Sequence, residues 1–415
     1  MNLQSLFSKE KTKLWIKRYI IDILLIFSLC IIFAIISNSL RNSFNLIGFE
    51  RETMDVWFEA DLARVIENMS NRFTNHFRTN VHPLFSIIFY SFSLFFRRFF
   101  DSSPISAAQS VFFFMGVFWT VSLYIYFRIL ELKRFDSFLF TLLGLFSSAS
   151  IFWISLPEPY LPGSISIIFA LSIAALADKK EIPTGWFIMS NVVTMSITIN
   201  NWMVGLITTV FRHSLKKTVQ IASYALSFVT LLWAIQKYLF PSAHFFLHWS
   251  NEMEFINQTG RGTIINIVNS FFFHTVVMPS IGVIEAFERV GWPIMTIQLS
   301  PPGSATYWGT IALIFWIFIS GFGIWSLFKT NFHGKFKITL GIIILFQMGL
   351  HIFYGNETFL YALHFLPLLL TIPTFGFKTK YRKFLIPIII LLIITAGLNN
   401  FIQFNQAVNF YDLNF

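Results

Sequence analysis

The chain returns repeatedly to apolar runs of about 18 residues or more, the length that crosses the hydrocarbon of a bilayer. Uninterrupted candidate spans lie at 19–37, 105–127, 136–155, 160–177, 218–239, 306–328, 338–353, 358–376 and 384–398. Two further apolar stretches are less clear: 84–100, rich in Phe and ending in Arg97-Arg98, and 185–211, interrupted by Asn200-Asn201. Hydrophobic residues make up 55% of the 415, and only 12% are charged. With a mean hydropathy of +0.66, this excludes a soluble domain of such length. The expectation is one all-α, polytopic integral-membrane domain over 1–415. The net charge of +10 does not point to nucleic acid, because the basic residues gather in short loops between spans, where they set orientation. Cys30 is the only cysteine and falls in the first span, so neither a disulfide framework nor a thiolate metal site is expected. Lys9, Lys11, Lys13, Lys17 and Arg18 precede the first apolar run as in a signal peptide. That run lacks a small-residue cleavage pattern, so it reads as an uncleaved span.

Charge sidedness arbitrates the two unclear stretches. If each spans once, Arg128, Lys133, Arg134, Lys179 and Lys180 all fall outside. If 84–100 lies along the outer surface and 185–211 is a hairpin of two short helices, those five move inside. There they join Arg212, Lys216, Lys217, Lys329, Lys335, Lys337, Lys378, Lys380, Arg382 and Lys383. The second arrangement predicts about eleven transmembrane helices, the N-terminus inside and the C-terminus outside. It leaves two large outer segments, 38–103 and 240–305. The latter carries Trp249, Glu252, Glu254, Arg261, Glu285, Glu288, Arg289 and Ser300-Pro301-Pro302-Gly303. A short outer loop, Leu156-Pro157-Glu158-Pro159-Tyr160, adds one more carboxylate. Matches to the glycosylation sequon at Asn68, Asn257 and Asn356 carry little weight, and none in a bacterium.

The first outer segment concentrates chemistry. Over 55–72 the spacing predicts an amphipathic helix, with Phe58, Leu62, Val65, Ile66 and Met69 on one stripe and Asp61, Arg64, Asn68 and Arg72 on an adjacent strip. Such a helix is expected in the interfacial plane, its apolar side in lipid and its polar strip toward a cavity. An ordinary surface helix with incidental charges fits the same pattern. Arg78 and then His82-Pro83-Leu84 follow.

An early acidic residue in the first outer loop, then a His-Pro-Leu step, resembles the integral-membrane glycosyltransferases of the GT-C superfamily. Leu156-Pro-Glu158-Pro-Tyr160-Leu looks like that superfamily's second acidic loop. Thr198-Ile-Asn200-Asn201-Trp202 resembles its paired short helices, and Tyr354-Gly-Asn-Glu357-Thr-Phe-Leu-Tyr361-Ala-Leu-His364-Phe-Leu-Pro367 its late span near the donor site. The resemblance touches most of the chain through short motifs, in order and on one side. The chain departs from the best-known pattern in having no Asp-Glu pair and one proline where two are usual. That leaves Asp55 and Asp61 both open as the catalytic acid.

The resemblance implies an inverting glycosyltransferase. It would move a sugar from a polyprenyl-phosphate carrier to a glycan, lipid or protein acceptor on the outer face of a membrane. No cofactor is expected; the acids around Asp55–Asp61 could hold a divalent ion, but they form no tight cluster, and the expectation is no metal. Inverting transfer needs a carboxylate to deprotonate the acceptor, and cationic or hydrogen-bonding groups where charge grows on the leaving phosphate. Asp61 is the candidate base and Asp55 the reserve, and Glu158 is a candidate to orient the base or bind acceptor. Arg64, Arg72, Arg78 and His82 are candidate phosphate partners, arginine for its two-pronged fork. Each arginine by itself also fits a headgroup-facing residue. Glu357, Tyr361 and His364 are candidate substrate-binding residues near the outer face. The bias to Phe, Ile, Asn and Lys suggests an AT-rich gene and a bacterial inner membrane. Two other readings are a transporter or flippase of lipid-linked sugars and a polysaccharide polymerase using a diphosphate-linked donor. A transporter places ionisable groups at mid-membrane, whereas here the acids collect in the outer segments. No Gly-rich phosphate loop, His-Glu-x-x-His motif or Ser-His-Asp arrangement is evident.

Overall fold

The computed structural model describes residues 9–46, 56–247, 253, 256, 262–284, 293–330 and 334–414. Among these, eight helices are long and apolar enough to cross a membrane: Tyr19–Asn42, Pro104–Ile129, Tyr160–Ala177, Leu215–Leu239, Tyr307–Lys329, Gly334–Phe353, Thr358–Lys378 and Arg382–Tyr411. They form an all-α membrane bundle. In chain order the helices are α1 (Lys9–Leu46), α2 (Leu62–Ser70), α3 (Phe85–Phe100), α4 (Pro104–Ile129), α5 (Arg134–Phe146), α6 (Ser148–Trp153), α7 (Tyr160–Ala177), α8 (Thr184–Ile197), α9 (Trp202–Val210), α10 (Leu215–Leu239), α11 (Ile264–Asn269), α12 (Tyr307–Lys329), α13 (Gly334–Phe353), α14 (Ala362–Thr374) and α15 (Arg382–Asn414). A small antiparallel pair, β1 (Gly282–Ile284) and β2 (Ile294–Thr296), interrupts the helical plan within 240–305.

The span expected at 136–155 is not continuous. Ser147 leaves helical geometry, and its hydroxyl accepts from Ser150 N at 3.3 Å, so it closes α5 and caps α6. A break among apolar helices needs its backbone groups satisfied, since lipid offers no partners. Here Ser148 N and Ala149 N donate to Val276 O and Thr275 O at 3.1 Å each, and Asn400 Nδ2 donates to Phe146 O at 2.9 Å. The break aims α6, and after it the loop bearing Glu158, toward one end of the bundle.

The stretch 185–211 is a hairpin. Asn191 Nδ2 reaches Thr209 Oγ1 at 2.9 Å, and a ring contact joins Phe187 to His213, so α8 and α9 run antiparallel about a turn at Ile199–Asn201. α3 packs against α4. Phe89 and Phe96, two turns apart on α3, meet Phe112 and Phe114, which are only two residues apart on α4.

Ion pairs mark one end of the bundle. Asp22 meets Arg128 and Arg134 at 3.0 and 2.8 Å, Lys179 meets Glu131 at 2.8 Å, Arg212 meets Asp178 at 2.5 Å, and both oxygens of Asp136 accept from Arg382 at 2.7 Å. At the opposite end Ser155 touches Ser37, with Glu158 and the start of α7 beside them.

The helix expected over 55–72 is shorter, Leu62–Ser70, and its apolar side faces protein. Val65, Ile66 and Met69 are buried, packed toward α3 and α4. The chain before it does not join the helix, because Trp57 and Phe58 are drawn into an aromatic cluster with Phe152, Trp153, Phe359 and Phe404. This burial holds Phe58 and Glu59 in left-handed geometry, φ 50° and 65°, which costs about 1–2 kcal/mol per residue. Burying two large aromatic side chains offsets that cost. Asp61 therefore sits at the turn that opens α2.

Candidate active site

Arg78 is the centre of the site. It lies on a single tight turn, Phe77–Asn80, and its Nη1 donates to Asp61 Oδ2. Arg64, one turn into α2, approaches the same oxygen at 3.6 Å. Asp61, Glu158, Tyr160 and Tyr361 all lie close enough to favour the charged guanidinium and hold its pKa above the ordinary arginine value, against burial that works the other way. Arg78 thus pairs with Asp61 and lies within electrostatic reach of Glu158, a carboxylate from a distant loop. Glu158 is 1% exposed. Its position between Pro157 and Pro159, with its own N–H donating to Leu156 O at 2.8 Å, fixes the short loop between α6 and α7.

His82 is buried, its Nδ1 2.9 Å from Ile197 O and 3.2 Å from Thr198 Oγ1. A carbonyl only accepts, so Nδ1 carries the proton. Burial and the nearby Arg78 charge push the imidazole pKa down to about 3. His82 is accordingly neutral near pH 7 and offers Nε2 as an acceptor, which gives a leaving phosphate no positive charge. Its bond to the tip of the α8–α9 hairpin, with Leu84 N donating to Ser196 O at 2.9 Å, ties the first outer segment to that hairpin.

Tyr160, Tyr361 and His364 form the wall beside Arg78. Tyr160 meets Tyr361 and His364 edge to face, at 5.6 and 5.8 Å between ring centres, and Trp153 adds a third contact at 5.8 Å. His351 of α13 lies against Tyr361 at 4.5 Å. Gly163 makes room for His364: a Cβ there would lie 2.1 Å from Nε2. Near this wall, Trp153 Nε1, Thr358 Oγ1 and His364 Nε2 are among the buried side-chain atoms of the described residues without a hydrogen-bond partner.

The sequence-based candidates do not all converge. Asp61, Arg64, Arg78, His82, Glu158, Tyr361 and His364 come together. Arg72 does not. It follows the end of α2, and its Nε donates to Leu239 O at 3.1 Å, at the end of α10. Asn68, expected on the polar strip, is buried and donates to Asn75 O at 3.1 Å. Asp55 lies outside the described residues, as do Trp249, Glu252, Glu254, Arg261, Glu285, Glu288 and Arg289. Glu357 is occupied by its own neighbours. Oε2 accepts from Thr296 Oγ1 at 2.6 Å and Ile297 N at 3.2 Å, and Oε1 accepts from Phe359 N at 3.2 Å. Burial nonetheless pushes its carboxyl above the usual range. The glutamate clamps β2 to the turn Thr358–Tyr361, and β2 in turn donates from Met295 N to Val56 O at 2.9 Å, just before Asp61.

Sequence reasoning did not single out Trp153, Tyr160 or His351 as site residues. Tyr160 had a signal, since it adjoins the acidic loop. Trp153 and His351 sit inside apolar runs that read as ordinary span residues, and only the break at Ser147 and the packing of α13 bring them here. Comparisons with family models, curated proteins and solved structures find no match.

Proposed function

We propose that this chain is an inverting membrane glycosyltransferase of the GT-C type, taking a sugar from a polyprenyl-phosphate carrier and passing it to a glycan, lipid or protein acceptor. The observation that carries the reading is the convergence of Asp61, Glu158, Arg64 and Arg78 beside the Tyr160–Tyr361–His364 wall at one end of the bundle. In this reading α5–α6, α8 and α9 cross together with the eight long helices, making eleven spans. The ion-paired basic end is cytoplasmic by the positive-inside rule, and the site faces the exterior of a bacterial inner membrane.

The chemistry follows from the groups present. A bond from the sugar's anomeric carbon to the carrier phosphate breaks, the phosphate keeps the electron pair, and the acceptor oxygen bonds to that carbon. Negative charge grows on the departing phosphate, and the Arg78 and Arg64 guanidiniums stabilise it. As phosphate competes for the Arg78 fork, Asp61 loses its strongest donor and becomes more basic, which suits it to take the acceptor proton. Glu158 keeps Arg78 aimed while Asp61 changes partner. Aromatic faces and the unpartnered Trp153 Nε1 and His364 Nε2 suit a ligand with both ring faces and hydroxyls.

The test is transfer from a synthetic polyprenyl-phosphate sugar by the purified full chain. Asp61→Asn keeps the volume and removes the charge, so expression stays near wild type while the rate falls about 100- to 10,000-fold. If Asp61→Asn retains full activity while the wild type transfers sugar, the assignment of the base fails. If the wild type moves lipid-linked sugar across vesicles without transferring it, the chain is a transporter. Activity confined to diphosphate-linked donors makes it a polymerase-type enzyme.

A further inference from the structure

Arg72 and Arg98 border a second feature, away from the Arg78 cluster. With Tyr90, Ser91, Leu94 and Phe95 they line a groove of about 360 Å³ between α3 and the end of α10. Most of its wall is apolar. Phe95 and Phe99 are 47% and 73% exposed, an apolar surface that belongs in lipid. The Nε bond to Leu239 O fixes the direction of Arg72. Among the described residues, no hydrogen bond or ion pair engages its terminal nitrogens or any nitrogen of Arg98. Two guanidiniums, with no carboxylate partner among the described residues, thus stand beside a greasy furrow where α10 ends.

We propose that this groove binds an anionic glycerophospholipid, its phosphate held by Arg72 and Arg98 and an acyl chain laid along Leu94, Phe95 and Phe99. The argument is charge complementarity at the depth of the headgroup, joined to an apolar channel of a size to take part of one chain. A zwitterionic lipid carries its own cation and gains less from two arginines. A polypeptide partner would leave the guanidiniums buried and unpaired unless it brought carboxylates. The proposal needs only the membrane bundle and is independent of sugar transfer. Bound lipid would brace α3, whose Arg97 donates to Ser70 O at 2.7 Å and so steadies the end of α2.

The experiment uses the purified full chain in neutral micelles. Thermal protection is titrated with dioleoylphosphatidylglycerol, with dioleoylphosphatidylcholine and with inorganic phosphate, and retained lipid is counted by native mass spectrometry. Phosphatidylglycerol is expected to protect, and phosphatidylcholine and inorganic phosphate to protect far less. Arg72→Gln/Arg98→Gln is expected to weaken the phosphatidylglycerol affinity about 30-fold. Ser91→Trp keeps both charges, fills the groove and is expected to abolish retention. Asp61→Asn is expected to leave the lipid affinity unchanged. Equal protection by phosphatidylcholine or by inorganic phosphate overturns the proposal, as does wild-type affinity in the double arginine variant. Should that variant fail to fold, Ser91→Trp decides alone, and wild-type lipid retention in it overturns the proposal.

Discussion

Removing Arg78 should strand Glu158, and pH should reveal it. In Arg78→Gln, Glu158 loses the cation that favours its charged form while remaining 1% exposed. A stranded buried carboxylate escapes its penalty by taking a proton. At pH 7, protonating a carboxyl of ordinary pKa near 4.3 costs about 3.7 kcal/mol, and at pH 5 about 1 kcal/mol. Those figures cap the destabilisation from Glu158, and the pH 7 value falls within the range for breaking a buried pair, about 3–5 kcal/mol. Asp61 contributes less, because its side chain is 16% exposed and Arg64 stays 3.6 Å away. The sign follows from proton counting. In the variant, the folded Glu158 binds a proton that the unfolded chain releases between about pH 4.3 and neutrality, so stability falls as pH rises, by up to about 1.4 kcal/mol per unit. Arg78→Gln/Glu158→Gln has no carboxylate to strand and lacks that slope. Thermal unfolding of both variants in micelles from pH 5 to 7.5 measures this. The double variant should be the more stable at pH 7, with the gap closing toward pH 5. A gap independent of pH, or a double variant no more stable than the single at pH 7, refutes the shared-cation geometry.

Three further outcomes are expected. Gly163→Ala improves helix propensity but places a methyl 2.1 Å from His364 Nε2, so the ring must move. The cost is about 1–3 kcal/mol, read as a lowered melting temperature that Gly163→Ala/His364→Ala recovers. Glu357→Gln replaces one accepting oxygen with an NH2 that only donates, set against the donors of Thr296, Ile297 or Phe359, and stranding a buried donor costs about 1–3 kcal/mol. Protease sensitivity of 293–298 should rise while the ion pairs at the far end are untouched, and unchanged sensitivity counts against the clamp. In a Cys30→Ser background, single cysteines replacing Asp101 and Glu131 should label from opposite sides of the membrane, position 101 from outside. Labelling of both from one side reverses the assigned topology.

Hydropathy along the chain located the helices long enough to cross a membrane but not all their ends: the run at 384–398 continues as helix to Tyr411. Lipid solvates an apolar run whatever its neighbours are, so hydropathy over about 20 residues is a local quantity, and eight of the nine uninterrupted runs appear as long helices. The gathering of charged loops at one end was legible for the same reason. Much of the candidate site was legible too, since Asp61, Arg78, His82 and Glu158 are polar residues in short loops flanking those runs. Other features rest on contacts between segments far apart in the chain, and they became fixed only on folding. Ser147 can break a span because Thr275, Val276 and Asn400 receive the freed backbone groups. Phe58 leaves its expected helical stripe because Phe152, Trp153 and Phe359 offer it a dry pocket. Glu357 is consumed by β2, and Arg72 is turned away by a carbonyl at the end of α10. A side chain's partners over such separations are not encoded in its neighbours along the chain, so spacing placed Arg72 and Arg78 on equal terms, and only folding gave one of them two carboxylates and the other an apolar groove.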